Sequence, residues 1–135
     1  MRILAVDPGE KNIGLAVSDP TGTIANPLGV LRHISREIDA ATIAQYAVEN
    51  QVFQIVIGQS LDSDGQPTFQ SRRASRLAAA VRTQTDIPVV LWDESSSTKM
   101  AQTARIMLGA SLKKRGGHLD DLAATVILQS YMDNL

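Results

Sequence analysis

Arg2-Ile3-Leu4-Ala5-Val6-Asp7-Pro8-Gly9-Glu10-Lys11-Asn12-Ile13-Gly14-Leu15-Ala16-Val17-Ser18-Asp19 is the stretch on which the fold turns. Its apolar run over 2–7 ends in a carboxylate, turns through Pro8-Gly9-Glu10-Lys11, and resumes over 12–18, the pattern of a hairpin that opens a sheet. An aspartate closing a buried strand is costly unless something positive meets it, so Asp7 is the first candidate for contact with a metal or a phosphate. By itself an aspartate before Gly9 also fits a turn residue bonded to its own backbone.

Beyond the hairpin, a weaker strand is expected near 28–32. Ser35 then caps a helix whose apolar positions Ala40, Ile43, Ala44, Ala47 and Val48 recur at helical spacing. Val52 to Gly58 reads as a buried strand and 59–67 as a loop rich in Ser, Asp and Gly. A second helix carries Ala74, Leu77, Ala78 and Val81 on one face and ends before Asp86-Ile87-Pro88, after which Val89–Trp92 forms a short strand running into Asp93-Glu94. A third helix is expected from Thr98 to about 108, a mobile loop over 109–117, and a final helix from Leu119 to about Met132. Antiparallel strands followed by alternating helix and strand predict an α/β domain of three layers, a mixed sheet with helices on both faces. One domain over 1–135 accounts for the whole sequence.

With a formal net charge of −1, the chain is not a protein held on nucleic acid by its overall field. Charge has to act locally, and there are three basic clusters: Arg32/His33/Arg36, Arg72/Arg73/Arg76 and Lys113/Lys114/Arg115. Each alone reads as a solvated surface face. Two Phe, two Tyr and one Trp, scattered along the chain, do not make a base-stacking platform, so a bound nucleic acid would be held by backbone and shape. Cysteine is absent, which excludes a thiol nucleophile or thiolate metal site and fits a reducing compartment. No signal peptide or membrane span is visible, and a cytoplasmic location is expected.

Three acidic sites stand out by position. Asp7 ends the first strand, Asp93-Glu94 ends the last, and Asp120-Asp121 opens the final helix. Ligands of open α/β sheets gather outside the carboxyl ends of the strands, and two of the three sites lie there. At ~100° per residue Asp120 falls within the apolar stripe of Ala123, Ala124, Ile127 and Tyr131, while Asp121 falls at its margin. Two acids in a first turn also suit the helix dipole, which explains Asp121 better than Asp120. Carboxylates converging in one cleft would repel one another unless a divalent cation neutralised them, and oxygen-only donors point to Mg²⁺, with Mn²⁺ as a substitute. Two such ions roughly 4 Å apart suit phosphodiester hydrolysis. Lys11, Thr98, Lys113, Lys114 and Arg115 are then the candidates for contact with substrate phosphates.

In order along nearly the whole chain, Asp7-Pro8-Gly9-Glu10-Lys11 with Gly14, Ala16 and Ser18-Asp19, then Val56-Ile57-Gly58 with Asp64-Gly65, then Asp93-Glu94 with Thr98 and Ala101, then Asp120 with Ala123-Ala124 and Ile127-Leu128, resemble the YqgF (RuvX) family. The resemblance implies an RNase H-like fold with a five-stranded mixed sheet, in the company of the RuvC Holliday junction resolvases. It also implies a bacterial cytoplasmic nuclease, described for the family both as a Holliday junction resolvase and as a pre-16S rRNA nuclease maturing the 5′ end during ribosome assembly. Carried over, the catalytic and metal-holding acids are Asp7, Glu94 and Asp120, with Asp93 and Asp121 in reserve. The chain departs from the family pattern at Asn12 and Ser95, where basic residues are usual, and at Gln59-Ser60 in place of Leu-Pro, which touches substrate grip more than metal binding.

Two other classes compete. An actin-type phosphotransferase begins with a similar Asp-x-Gly loop but needs a second such loop in another domain. A non-catalytic module binding structured nucleic acid fits the near-neutral charge. The expected partners are structured RNA or a pre-ribosomal particle, or branched DNA in the resolvase alternative. The protein is expected to be a monomer or at most a weak homodimer, since every apolar stripe is needed for the core.

Overall fold

The computed structural model describes residues 1–93 and 120–135, with side chains from Leu122 onward in the last helix. The elements are β1 (Arg2–Pro8), β2 (Asn12–Ser18), β3 (Ala25–Arg32), α1 (Arg36–Glu49), β4 (Val52–Gln59), α2 (Phe69–Gln84), β5 (Val89–Asp93) and α3 (Asp120–Asp133). The helix expected from Thr98 and the loop over 109–117 lie outside the described residues.

The strands form one five-stranded sheet in the order β3-β2-β1-β4-β5. β1 pairs antiparallel with β2 and parallel with β4, and β4 pairs parallel with β5, so the expected mixed sheet forms around β1. Strand alternation divides the core into two. Leu4, Val6, Ile13, Leu15, Ile55 and Ile57 face α1 and α2. Ile3, Ala5, Ala16 and Val56 face α3 through Ala124, Ile127, Leu128 and Met132. Both faces of β1 are therefore covered, which is why it reads as a continuous apolar run.

The third strand is longer than expected, Ala25–Arg32 instead of 28–32, because pairing with β2 carries it back past Pro27 to Ala25. A proline is tolerated there because β3 is the edge strand. Val48, expected on the buried stripe of α1, is 64% exposed. The helix buries only Asp39, Ala40, Ile43, Ala44 and Ala47, a stripe that has ended by Val48. Gly9 is required by close approach, since a Cβ there would lie 2.1 Å from the Asn12 carbonyl oxygen. Among the described residues no helix is long and apolar enough to cross a membrane.

Two polar devices close the far edge of the sheet. Ser18, 1% exposed, accepts a hydrogen bond from the Ile3 N–H at 2.8 Å and so satisfies a buried donor at the start of β1. Asp19 organises the β2–β3 turn: its Oδ1 accepts from the N–H groups of Thr23 (2.8 Å) and Ile24 (2.9 Å), and its Oδ2 from the Thr21 hydroxyl. Those bonds, the Ile24 N–H foremost, hold its carboxyl well below the usual carboxylate range.

Ser18→Ala is expected to cost about 1–3 kcal/mol, because the Ile3 N–H is left buried without an acceptor, and to lower the urea midpoint at unchanged m value. For Asp19 the folded pKa is depressed, so its contribution is present above the unfolded carboxylate pKa of about 4 and is lost as pH falls below it. Asp19→Asn is expected to flatten that acid limb in thermal melts taken across the range.

Candidate active site

Asp7 is the last polar residue of β1 before the Pro8–Gly9 turn, and the alternation of the strand sets its face. Ile3 and Ala5 look toward α3 and Leu4 and Val6 toward α1 and α2, so Asp7 belongs to the α3 face. It is half-buried. Its partner on β2 is Gly14, and β4 reaches Gly58 one step beyond the Val6–Ile57 pair. The positions level with Asp7 on both neighbouring strands are therefore glycines. The sequence holds both, but their flanking of Asp7 is a property of the register alone.

The other end of α3 indicates which way that helix runs. The Gln129 side chain accepts from the Ala25 N–H at 3.1 Å and donates to the Thr23 carbonyl at 3.1 Å, tying α3 to the β2–β3 turn. Tyr131 donates its hydroxyl to Gln54 at 2.9 Å and packs edge-on against Trp92 with ring centroids 5.4 Å apart. Gln54 pairs with Ile3, so the Tyr131 hydroxyl reaches the start of β1, while its ring lies against Trp92, which pairs with Gly58 toward the other end of the strands. Nine residues of helix rise about 14 Å, close to the roughly 13 Å that a strand covers from Ile3 to Asp7. The first turn of α3, which begins at Asp120, thus lies toward the edge at which β1 ends. The side chains of Asp120 and Asp121 lie outside the described residues, as do Glu94, Thr98, Lys113, Lys114 and Arg115.

Asp93 ends β5 opposite Gln59. On β5, Val89 and Leu91 join the α1/α2 core, while Val90 and Trp92 join the α3 core, so Asp93 takes the α1/α2 side. Its Oδ1 accepts from the Leu61 N–H at 3.4 Å. That bond holds the start of the β4–α2 loop, which is closed at its far end by Thr68, the α2 cap, donating to the Ser60 carbonyl at 2.5 Å. Asp93 and Asp7 share an edge of the sheet but not a face. Among the described residues no group of three or more His, Asp or Glu side chains is placed to hold a metal ion.

Lys11 is exposed at the end of the first turn and lines a hollow together with Asn12, Arg32, His33 and Glu10. A second cavity of about 390 Å³ adjoins it, sharing Glu10 and His33, and is walled by Pro8, Arg36, Asp39 and Arg73. Read from the sequence, the Arg32/His33/Arg36 and Arg72/Arg73/Arg76 clusters are separate surface faces. Packing of α1 beside α2 brings Arg36 and Arg73 to one cavity. No sequence signal announces that meeting, because it depends on which faces two helices bury.

A family model described as a Holliday junction resolvase, RuvX, matches residues 1–134. Relatives carrying the name "Putative pre-16S rRNA nuclease" include one from Desulforamulus reducens, 37% identical over 134 residues covering 99% of this chain and 98% of its own. Another, from Syntrophus aciditrophicus, is 40% identical over 133 residues, covering 98% and 89%. Among solved structures, Thermus thermophilus RuvC in complex with a Holliday junction superposes with a TM-score of 0.66 at 16% identity, covering 99% of this chain and 94% of that one. The fowlpox virus Holliday junction resolvase gives a TM-score of 0.58 at 15% identity over the full length of both chains. At such identities the structures establish the shared RNase H-like fold.

If the Asp93 carboxylate anchors the loop, Asp93→Ala is expected to speed hydrogen exchange at the Leu61 amide about two- to tenfold. Asp93→Asn, which keeps an acceptor oxygen, is expected to leave it near the parent rate.

Proposed function

The chain belongs to the RuvX family, and on that premise we propose that it is a metal-dependent endonuclease that cleaves a phosphodiester bond of precursor 16S rRNA near the 5′ end of the mature sequence. The observation that carries the reading is the position of Asp7: a carboxylate at the carboxyl end of the central strand, flanked by glycines on both sides, on the sheet face that α3 covers. A half-buried carboxylate whose neighbouring strands present only glycine at its level suits a hard divalent cation. The carboxylate described at this edge on the α3 face is that of Asp7, and the chain has no cysteine to recruit a softer metal.

In this reading Asp7, Glu94 and Asp120 hold Mg²⁺, with Mn²⁺ as a substitute. Glu94 is preferred to Asp93 because Asp93 takes the face opposite to Asp7 and bonds Leu61. The bound metal would supply an activated water and charge stabilisation for the departing oxygen. The chain's own work is positional. β1 and α3 pack against each other through the Ala5–Ala124–Leu128 core, which holds the backbones that carry Asp7 and Asp120 in fixed positions. Lys11, Thr98, Lys113, Lys114 and Arg115 are the proposed phosphate contacts. The RuvX model's own description favours a second reading, resolution of four-way DNA junctions.

Asp7→Asn is expected to reduce Mg²⁺-dependent cleavage of a precursor rRNA fragment by about two orders of magnitude or more. Glu94→Gln should match it, while Asp93→Asn keeps most of the activity. Chelation of divalent ions should abolish cleavage and added Mg²⁺ restore it. A synthetic four-way junction in parallel separates the two substrates: cutting of the junction with the rRNA fragment left intact transfers the assignment to DNA. Retention of binding with no cleavage of either, under any divalent ion, identifies a non-catalytic binding module.

A further inference from the structure

The two adjoining hollows at the β1–β2 turn form one open trough on the side of the sheet away from Asp7. It begins at Pro8, the residue next to Asp7 in the chain, and continues past Glu10 and His33 to Lys11 and Arg32. Lys11, Arg32, Arg36 and Arg73 line it with Glu10, Glu37 and Asp39, so four permanent cations face three carboxylates. Asp39 is already committed. It is 4% exposed, and its oxygens accept from the Ile34 N–H at 3.1 Å and bond His33 Nδ1 at 2.5 Å. No Lys or Arg is salt-bridged to a carboxylate between described residues, so Arg36 and Arg73 are not tied to Glu10 or Glu37 there.

The His33 ring is set by this buried partner. With Nδ1 held by Asp39, Nε2 is the ring atom left for a ligand, and the side chain is 45% exposed. A chain of net charge −1 has thus gathered arginines, a lysine and an oriented imidazole in one open channel. Two adjoining open hollows that share Glu10 and His33 suit a repeating anion better than a small enclosed ligand, because each can take one group of the repeat.

Resting on the nuclease reading above, we propose that this trough holds backbone phosphates of the RNA strand that flanks the scissile bond. The strand crosses the sheet edge at Asp7, passes the Pro8–Lys11 turn, and lies against Arg36, Arg73 and His33. The contact is to phosphate and carries no base specificity.

The test measures affinity, not cleavage. In an Asp7→Asn background, Arg36→Gln/Arg73→Gln and His33→Ala are compared with the parent for binding a precursor rRNA fragment and a four-way DNA junction over a salt series. Far-ultraviolet circular dichroism and melting temperature confirm that each variant folds. Arg2→Gln, at the start of β1, controls for the loss of one positive charge and is set against Arg36→Gln and Arg73→Gln measured singly as well as together. The arginine pair is expected to weaken RNA binding about tenfold or more, and the slope of log affinity against log salt should fall by about 0.7–0.9 for each phosphate no longer neutralised. His33→Ala should weaken it several-fold, and Arg2→Gln should match the parent. Variants that fold and bind RNA like the parent overturn the proposal, as does an effect confined to the DNA junction or equalled by Arg2→Gln. Weaker RNA binding by the variants, with no cleavage by the wild-type chain, supports the trough and overturns the nuclease reading separately.

Discussion

β1 is bonded to a neighbour on each edge and covered by helices on each face, and the remaining architecture is built around that strand. A strand enclosed on four sides tolerates a charged group only where the enclosure stops. Asp7 stands at that point. The chain turns immediately afterwards, on a glycine that the closeness of the Asn12 carbonyl makes necessary. The glycine that follows the aspartate thus answers to the geometry of a hairpin, and no phosphate is needed to explain it.

Alternation along strands then sorts the acids. Asp7 and Asp93 end parallel strands at one edge of the sheet, and edge position alone would group them. The period of two in side-chain direction separates them. Asp7 faces the α3 layer, whereas Asp93 faces the α1/α2 layer and secures the loop through the Leu61 N–H. The orientation of α3 is fixed from its opposite end, by Gln129 and Tyr131, whose polar atoms reach the turn and strand where β1 begins. Contacts at the far end of α3 therefore aim the first turn of the helix at the edge carrying Asp7.

Electrostatics follow a similar division between total and local charge. A near-neutral chain has no long-range field to collect a polyanion. Its cations act only where folding brings them together, as at the trough between the first turn and the two helices of the α1/α2 layer. The oxygens of Asp39 are taken up by a histidine and a backbone N–H, so they make no salt bridge to the arginines beside it.

The hairpin, the cap at Ser35, the buried strands and the stripes of α1 and α2 are legible along the chain, because each is written in spacing between neighbours a few residues apart. The edge strand was read too short and Val48 was read as buried, since edge pairing and the limit of a helix's covered stripe depend on what packs alongside. The carboxylate at the end of β1 could likewise be singled out from sequence. Which face it occupies, that glycines flank it, that Asp93 does not share its face, and that Arg36 meets Arg73 were decided only by tertiary structure. Register and packing between segments distant in the chain set all four, and local spacing has no means of encoding them.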